Sequence, residues 1–222
     1  MNLLDSRLQA VLNLIPKGSI LLDVGTDHCK LPAEGLRSGH LAKAYASDVK
    51  PGPLKAAKKQ LSAQGLAGQV ELFLSNGLED IPLSVLKEVT AVSVAGMGGE
   101  VMEMILEKAP MEPPLWILQP MSAIYELLDT LAQKGYAVVS AALAQDGEKI
   151  YRVYGIQKGI PPYMPDYFGM HQGDPLYGAL LEKEEKRVSA ALAGLHQAKT
   201  PDLQRIGEAE ELLKKIRKAK EA

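Results

Sequence analysis

The residues best placed to do chemistry follow the first apolar run of the chain, Ile20 to Val24. Gly25 ends that run, and the polar segment Thr26-Asp27-His28-Cys29 comes directly after it. This is the outline of a strand, a tight turn and a helix start in a nucleotide-binding α/β sheet. The dinucleotide fingerprint requires glycine at three positions, but Asp27 occupies the second of them and the third is not glycine either.

The charge of this loop favours a cationic ligand. Asp27 would repel a pyrophosphate, whereas it would attract the sulfonium and ammonium groups of S-adenosylmethionine. Gly25 has no side chain, so the backbone can approach such a ligand closely. The loop alone is weak evidence, because many strand–turn–helix joints of this kind bind nothing.

Composition indicates a soluble globular protein with room for one sizeable domain and a small appendage. The 222 residues are 46% hydrophobic and 23% charged, with a formal net charge of −2. A slightly negative net charge argues against nucleic-acid binding driven by the overall charge of the protein, although local basic patches can still bind it. The single cysteine, Cys29, excludes an internal disulfide and is more typical of a packed side chain than of a nucleophile. Without a signal-peptide pattern or a long apolar segment, we expect a cytoplasmic protein that contacts no membrane.

Apolar runs alternate with helical patterns and predict five strand–helix units. The predicted strands of the whole chain are residues 20–24, 43–49, 70–74, 91–95, 115–120, 136–144 and 149–156. Asp48 and Val49 end the second strand, and Asp48 lies 23 residues beyond Gly25. A carboxylate at that distance binds ribose hydroxyls in nucleoside-binding sheets. The alternative, that Asp48 caps the next helix, is less favoured because Pro51-Gly52-Pro53 intervenes.

The next three strands also end in residues suited to a ligand. Asn76-Gly77-Leu78 follows the third strand and can border an adenine ring, although Asn-Gly is also an ordinary turn signal. Gly96-Met97-Gly98-Gly99 follows the fourth strand, and so many glycines predict a binding loop. Gln119-Pro120 ends the fifth strand, and Ser122 is expected to cap the helix after it.

The last two predicted strands have no helix between them. They are joined by Gln145-Asp146-Gly147-Glu148, and Asp-Gly between apolar runs is a strong hairpin signal. A nicotinamide-dependent oxidoreductase would share Gly25 and Asp48, but its sheet would continue with parallel strands. Five parallel strands followed by an antiparallel hairpin are the layout of the Rossmann-like class I S-adenosylmethionine-dependent methyltransferase fold.

The C-terminal residues 159–222 are predicted to form a linker and two long polar helices, distinct from the methyltransferase domain of residues 1–158. Asp174-Pro175 and Thr200-Pro201 each place a capping side chain before a proline at the first helical position. Apolar residues recur at coiled-coil spacing, which predicts a helical hairpin of coiled-coil type. These residues are Leu181, Val188 and Leu195 in one helix, and Leu203, Ile206, Leu213 and Ile216 in the other.

Three basic residues have two interpretations each. Arg7 lies in the first turn of a predicted helix over residues 6–15, where a cation opposes the helix dipole. It is either simply solvated or held there for a phosphate. Lys214 and Lys215 belong to a basic cluster that either keeps the last helix soluble or contacts the phosphates of RNA.

In combination, the motifs resemble the bacterial tRNA (adenine-22-N1)-methyltransferase family (TrmK) over roughly residues 3–158. The segments that carry the resemblance are Ser6-x-Leu8, Ile15-Pro16-Lys17-Gly18, Asp23-Val24-Gly25-Thr26-Asp27-His28, Leu31-Pro32, Asp48-x-x-Gly52-Pro53, Asn76-Gly77-Leu78-Glu79, Ala95-Gly96-Met97-Gly98-Gly99, Ile117-Leu118-Gln119-Pro120 and Glu148-Lys149-x-Tyr151. Departures from the family pattern are Cys29, Ser75 and the linker from Pro161 to Tyr167.

The resemblance implies transfer of a methyl group from S-adenosylmethionine to N1 of adenine 22 in the D-arm of tRNA. It implies a cofactor site formed by Asp23, Gly25, Thr26, His28, Asp48, Val49, Asn76, Gly77, Leu78, Gly96 and Met97. We expect the tRNA to contact Arg7, Gly98, Gln119, Pro120, Lys214 and Lys215. Attack by N1 leaves the base cationic, and Asp27 is the candidate catalytic residue that stabilises this charge.

Two alternatives stay open at this point. The first is a methyltransferase of the same fold that acts on another RNA or on a small molecule. The second is a non-catalytic RNA-binding module. The second alternative would leave the residues at the strand ends without a purpose. We expect a monomer that binds no metal.

Overall fold

The computed structural model describes residues 4–159, 167–198 and 200–221. The chain divides into two compact units, with the division between residues 165 and 166. Much of the linker that departs from the family pattern, from Pro161 to Tyr167, lies outside the described residues. None of the helices in the described ranges is both long enough and apolar enough to cross a membrane.

The first unit contains one seven-stranded sheet in the order β3-β2-β1-β4-β5-β7-β6. Its strands are β1 Ser19–Val24, β2 Leu41–Asp48, β3 Val70–Leu74, β4 Ala91–Gly98, β5 Trp116–Ser122, β6 Tyr136–Asp146 and β7 Lys149–Lys158. The first five are parallel, whereas β7 pairs antiparallel with both β5 and β6. The predicted five parallel strands and terminal hairpin are confirmed.

Within the described residues of this unit, six helices accompany the sheet. They are α1 Ser6–Leu14, α2 Lys30–Arg37, α3 Pro51–Ala63, α4 Leu83–Leu86, α5 Gly99–Glu107 and α6 Ile124–Gln133. The Asp5 side chain caps α1 by accepting a hydrogen bond of 2.8 Å from the Leu8 amide. The short α4 has no counterpart in the predicted elements.

The central strands are buried on both faces, as parallel strands covered by helices should be. Leu21, Leu22, Val92 and Ile117 are all fully inaccessible to solvent. A parallel sheet of this kind brings the carboxyl ends of β1 to β5 to a single edge, and the functional site lies there.

Two local predictions at this edge are wrong. Ser122 does not cap α6, because it ends β5, and Ala123 makes the turn in a left-handed conformation with φ +51°. Gly96 to Gly98 do not form a loop, because β4 continues through them with two irregularities in its pairing with β5. A Cβ at Gly98 would lie 2.9 Å from the Ser122 hydroxyl, and one at Gly99 would lie 2.5 Å from the Ala123 carbonyl oxygen. The close approach at these two glycines is therefore made by the chain's own turn.

The second unit has a short 3-10 turn, Gly169–His171, and two long helices, α7 Tyr177–Gln197 and α8 Leu203–Glu221, which pack against each other. The helical hairpin is confirmed, while its coiled-coil type stays a prediction. The predicted apolar stripe is buried at five positions, Leu181, Val188, Ile206, Leu213 and Ile216.

The ends of that stripe differ from the prediction. Leu203 is 79% exposed and Leu195 is only half-buried. The side chain that caps α8 is Asp202, which accepts a hydrogen bond of 3.1 Å from the Arg205 amide, so Thr200 is not the cap. Asp174 does accept from the amide of Leu176 at 2.8 Å, just before α7.

Candidate functional site

A cleft of about 240 Å³ opens at the carboxyl ends of the parallel strands. The ends of β1, β2 and β4, the turn after β3 and one face of α5 surround it. Its lining residues are Val24, Gly25, Asp48, Val49, Ser75, Asn76, Gly77, Glu79, Met97, Val101, Met104, Ile105 and Lys108. Six of the predicted cofactor residues are thus brought together from four strand ends.

Asp48 supplies a carboxylate at the end of β2. Its Oδ1 accepts a hydrogen bond of 2.8 Å from the Lys50 amide, which holds the side chain in place. The following helix α3 has no side-chain cap, so the alternative role for Asp48 is not observed. Among the described residues Oδ2 has no hydrogen-bond partner, and it can accept one from a hydroxyl group in the cleft.

Gly25 lines the cleft and has φ +73°. A Cβ built there would lie 2.0 Å from the methyl carbon Cε of Met97. The space that glycine leaves is therefore filled by the end of a flexible side chain, which can move aside for a ligand. This packing needs glycine at position 25 for both its conformation and its size.

The turn after β3 is held rigidly. Gly77 has φ +61°, and a Cβ there would lie 3.3 Å from Ile105 of α5. The Ser75 hydroxyl donates to the Gly77 carbonyl at 3.1 Å and accepts from the Asp80 amide at the same distance. Asn76 donates a hydrogen bond of 2.7 Å from Nδ2 to Oε1 of Glu79.

Apolar side chains at the rim of the cleft are unusually exposed. Val49 is 60% exposed, Met104 50% and Val101 41%. Exposed apolar side chains that line one cleft together are typical of a ligand-binding groove. A flat aromatic base in the cleft would cover them, and the turn at Asn76 could bind its polar edge.

Asp23 lies behind the cleft and does not line it. It is buried in β1, and its Oδ1 accepts a hydrogen bond of 2.6 Å from the Ser93 hydroxyl. Burial raises the pKa of Asp23 to about 6, while the hydrogen bond from Ser93 and the charge of Arg7 partly oppose this rise. A buried carboxylate of this kind adds negative potential beneath the cleft.

Cys29 is also buried. Burial, together with the charge of Asp23, raises the pKa of its thiol to about 12. The thiol therefore stays protonated at neutral pH, which matches the interpretation as a packed side chain.

Arg7 is brought to this edge by α1. Its Nη1 donates a hydrogen bond of 2.8 Å to Oε1 of Gln119 at the end of β5, and the Gly96 amide donates to the same oxygen at 3.1 Å. Gln119 is fully buried and uses Nε2 to bind the Pro120 carbonyl at 3.0 Å. The Arg7 side chain is 22% exposed, and its Nη2 lies 3.6 Å from Oδ2 of Asp5.

Asp27 and His28 lie on the exposed loop after β1. Their side chains are 81% and 50% exposed, and His28 Nε2 lies 3.2 Å from Asp27 Oδ1. His28 and Cys29 have φ +57° and +56°, a left-handed conformation that costs energy for residues other than glycine. Strain of this kind in a loop is common at functional sites.

The remaining predicted residues are not among those that line the cleft. Thr26 and Leu78 are buried next to it, and neither lines it. In the second unit, Lys214 lines a groove between α7 and α8, and Lys215 Nζ lies 4.8 Å from the centre of the Tyr167 ring.

The contribution of α5 to the cleft was not predicted from the sequence. Val101, Met104, Ile105 and Lys108 all line the cleft, and their spacing is that of one helix face. Helix α5 begins directly after the glycine-rich end of β4. That place in the sequence was the signal from which its contribution to the cleft could have been predicted. Ser75 and Glu79 also line the cleft, whereas only Asn76, Gly77 and Leu78 of this turn are predicted from the sequence to bind the cofactor.

Comparisons with known proteins match this geometry. A family model for a methyltransferase domain matches residues 4–154. The tRNA (adenine(22)-N(1))-methyltransferase of Bacillus subtilis (strain 168) is 30% identical over 188 residues, which cover 83% of this chain and 77% of that protein. The chain belongs to the tRNA (adenine(22)-N(1))-methyltransferase family.

Solved structures related to the family have the same fold along almost the whole chain. A Streptococcus pneumoniae protein in complex with S-adenosyl-L-methionine has a TM-score of 0.81 and 26% identity, covering 98% of this chain and 99% of that one. TrmK of M. capricolum, in complex with S-adenosylhomocysteine, has a TM-score of 0.81 and 25% identity, covering 99% and 98%. The resemblance to this family and the predicted methyltransferase fold are confirmed.

Potential metal ligands are scattered in the part of the chain that the structure describes. Over residues 4–159, 167–198 and 200–221, no three His, Cys, Asp or Glu side chains are grouped as a metal site requires. The cleft can bind a ligand through hydrogen-bonding and charged groups, such as Asp48 and Asn76, and through apolar side chains, such as Val49 and Val101.

Proposed function

We propose that this protein transfers a methyl group from S-adenosylmethionine to N1 of adenine 22 in the D-arm of tRNA. The observation that carries the proposal is the cleft at the carboxyl edge, where a carboxylate, a rigid Asn-Gly turn and exposed apolar side chains meet. A relative that is 30% identical is a tRNA (adenine(22)-N(1))-methyltransferase, and a neighbour of the same fold binds S-adenosyl-L-methionine.

The residues of the cleft fit the parts of this cofactor. Asp48 Oδ2 can accept from the ribose hydroxyls, and the exposed side chains of Val49 and Val101 can cover the adenine ring. Gly25 and the movable end of Met97 leave the floor open to close approach, while Asp23 supplies negative potential beneath it. When bound, S-adenosylmethionine supplies a methyl group activated by a positively charged sulfur.

Substrate chemistry requires no base to remove a proton first, since adenine N1 has a lone pair in the plane of the ring. The product is a cation, and we assign its stabilisation to Asp27 in the exposed loop that follows Gly25. The carboxylate would act electrostatically once RNA covers the exposed loop and excludes water.

The Asp27 assignment is tested with Asp27→Asn, and Asp146→Asn in the exposed β6–β7 hairpin serves as the control. We expect the first variant to bind S-adenosylhomocysteine and tRNA normally and to methylate about 10- to 100-fold more slowly in single turnover. The control should keep the parental rate. A parental rate for Asp27→Asn would remove this residue from the mechanism.

On the tRNA side, we propose that Arg7 binds a phosphate and that Gln119 holds the Arg7 side chain in position for this contact. All the polar atoms of Gln119 are already used by Arg7, Gly96 and Pro120, so it is a positioning residue rather than a reader of the base. We assign Gly98 and Pro120, at the ends of β4 and β5, to contact with the base, and Lys214 and Lys215 of the second unit to contact with RNA phosphates. Because N1 lies on the pairing edge of adenine, the base must leave its pair or its stack.

The whole function is tested by incubating the protein with unmodified tRNA and methyl-labelled cofactor, followed by mapping of the modified nucleotide. We expect N1-methyladenine at position 22 and no incorporation when that adenine is replaced by guanine. Label at another position, or on a different RNA, would support an alternative methyltransferase activity. Binding of tRNA without any transfer would instead identify an RNA-binding module.

We further propose that the protein works in the cytoplasm as a monomer, with neither a metal nor a membrane. Size-exclusion chromatography with light scattering should give a mass near the 24.0 kDa of one chain. Methyl transfer should continue in the presence of a chelator. A dimer mass, or loss of activity restored by a divalent ion, would contradict the respective part.

A further inference from the structure

Three residues at one end of the cleft form a connected polar group. Asn76 Nδ2 donates a hydrogen bond of 2.7 Å to Oε1 of Glu79, and Lys108 Nζ lies 3.4 Å from the same oxygen. All three residues line the cleft. The Asn76 carbonyl also accepts from the Glu79 amide at 3.2 Å, so the turn itself holds the two side chains together.

The chemistry of this group determines which way the Asn76 amide faces. An ionised carboxylate can only accept hydrogen bonds, so the atom of Asn76 that meets Glu79 must be the NH₂ group. Lys108 also contacts this carboxylate oxygen, but its ammonium group can only donate hydrogen bonds. The ion pair therefore does not change the requirement that Asn76 donates to Glu79. The carbonyl oxygen Oδ1 is therefore the acceptor that the Asn76 side chain can offer a ligand, next to the second N–H of Nδ2.

We propose that Glu79 is a positioning residue that fixes the Asn76 amide with its oxygen toward the base of the cofactor. A fixed acceptor at this point selects a purine that carries an amino group at C6. A purine with a C6 oxygen would place acceptor against acceptor. This inference rests on the proposed function, because it assigns a selectivity to the same cofactor site.

The test measures binding of two cofactor products by calorimetry, with S-adenosylhomocysteine as the 6-amino ligand and S-inosylhomocysteine as the 6-oxo ligand. The wild-type protein should prefer the first by about tenfold or more, because the second ligand loses one hydrogen bond and sets two acceptors against each other. In Glu79→Gln, the new amide can donate or accept, so Asn76 can turn over. The preference should shrink, and affinity for S-inosylhomocysteine should rise above that of the wild type.

Two variants serve as controls. Glu71→Gln makes the same charge change at an exposed position of β3 outside the cleft, and it should leave both affinities unchanged. Lys108→Met removes the ion pair but keeps Glu79 as a pure acceptor, so it should keep the preference.

The outcomes separate the two proposals. Glu79→Gln with the wild-type preference, or with both ligands weakened equally, would overturn the role of Glu79, as would loss of the preference in Lys108→Met. If the wild-type protein bound neither ligand, the proposed function would fail and this inference with it. Normal affinity for S-adenosylhomocysteine with an unchanged preference in Glu79→Gln overturns this inference alone.

Discussion

Arg7 and Gln119, separated by 112 residues in the sequence, are joined by a hydrogen bond of 2.8 Å. The acceptor oxygen of Gln119 also binds the Gly96 amide, so one buried side chain connects α1, the end of β4 and the end of β5. The guanidinium group is thereby held at the carboxyl edge of the sheet, although its helix lies outside the strand–helix repeat.

Replacing Gln119 with methionine keeps the size of the side chain and removes its acceptor. Two donors then lose their partner, so we expect the free energy of unfolding in urea to fall by about 1–3 kcal/mol. With Arg7 released, the KM for tRNA should rise, while affinity for S-adenosylhomocysteine changes little. Gln69→Met is the matched control, because Gln69 is exposed and its amide makes only a 3.4 Å contact with Gly65. An unchanged KM for tRNA would contradict the positioning role.

Gly25→Ala should be more damaging than the same change at another glycine of similar conformation. At Gly25, φ is +73° and a Cβ would meet Met97 at 2.0 Å, whereas at Gly18 φ is +83° and nothing lies within 4 Å. Gly18→Ala therefore reports only the backbone strain, of about 1 kcal/mol. We expect Gly25→Ala to lower the affinity for S-adenosylhomocysteine at least tenfold beyond that of Gly18→Ala. Adding Met97→Ala should restore part of the lost stability, and equal effects of the two alanines would refute the argument from packing.

Much of the fold could be predicted because its signals are local. β3 lies at the predicted residues 70–74, and the Asp-Gly turn does join two antiparallel strands. Asp48 and Asn76 could be placed in one site since parallel strands bring their carboxyl ends to one edge.

Other features depend on contacts that no local pattern contains. Gly98 and Gly99 are approached by the turn at Ser122 and Ala123, and the space beside Gly25 is filled by Met97. The sequence shows that glycine is required at these positions but not which atom comes close. Gln119 was expected to contact the substrate, and only the three-dimensional structure shows that its polar atoms are used internally.

Asp23 should make stability depend on pH in the direction opposite to most carboxylates. Its folded pKa of about 6 lies above the ordinary value of 3.8, so between these two values the folded state holds a proton that the unfolded state releases. The contribution of Asp23 to the free energy of unfolding is therefore largest below about pH 4, falls as the pH rises toward 6, and is lost above that. Asp23→Asn removes the effect, so its advantage in unfolding free energy over wild type should grow from near zero at pH 4 to about 2–3 kcal/mol at pH 7. Urea denaturation across this range measures the difference, and parallel pH profiles for the two proteins would contradict it.

Lys214 and Lys218 can separate RNA contact from stability of the helical hairpin. Arg217 and Lys220 both bind Glu185 across α7 and α8, so changing them would disturb the hairpin itself. Lys214, by contrast, is 79% exposed and lies 3.9 Å from Glu211 on its own helix, and Lys218 is also exposed.

If this surface binds phosphates, the double variant Lys214→Ala/Lys218→Ala should weaken tRNA binding and reduce the slope of log K against log salt by about 1 per lysine. Affinity for S-adenosylhomocysteine and the melting temperature should stay at the wild-type level. Lys55→Ala/Lys59→Ala, on the exposed face of α3, removes the same charge elsewhere and should leave the slope unchanged. Equal slopes for both double variants would mean that the C-terminal lysines only keep a helix end in solution, and the phosphate contacts would then have to be sought on the first unit.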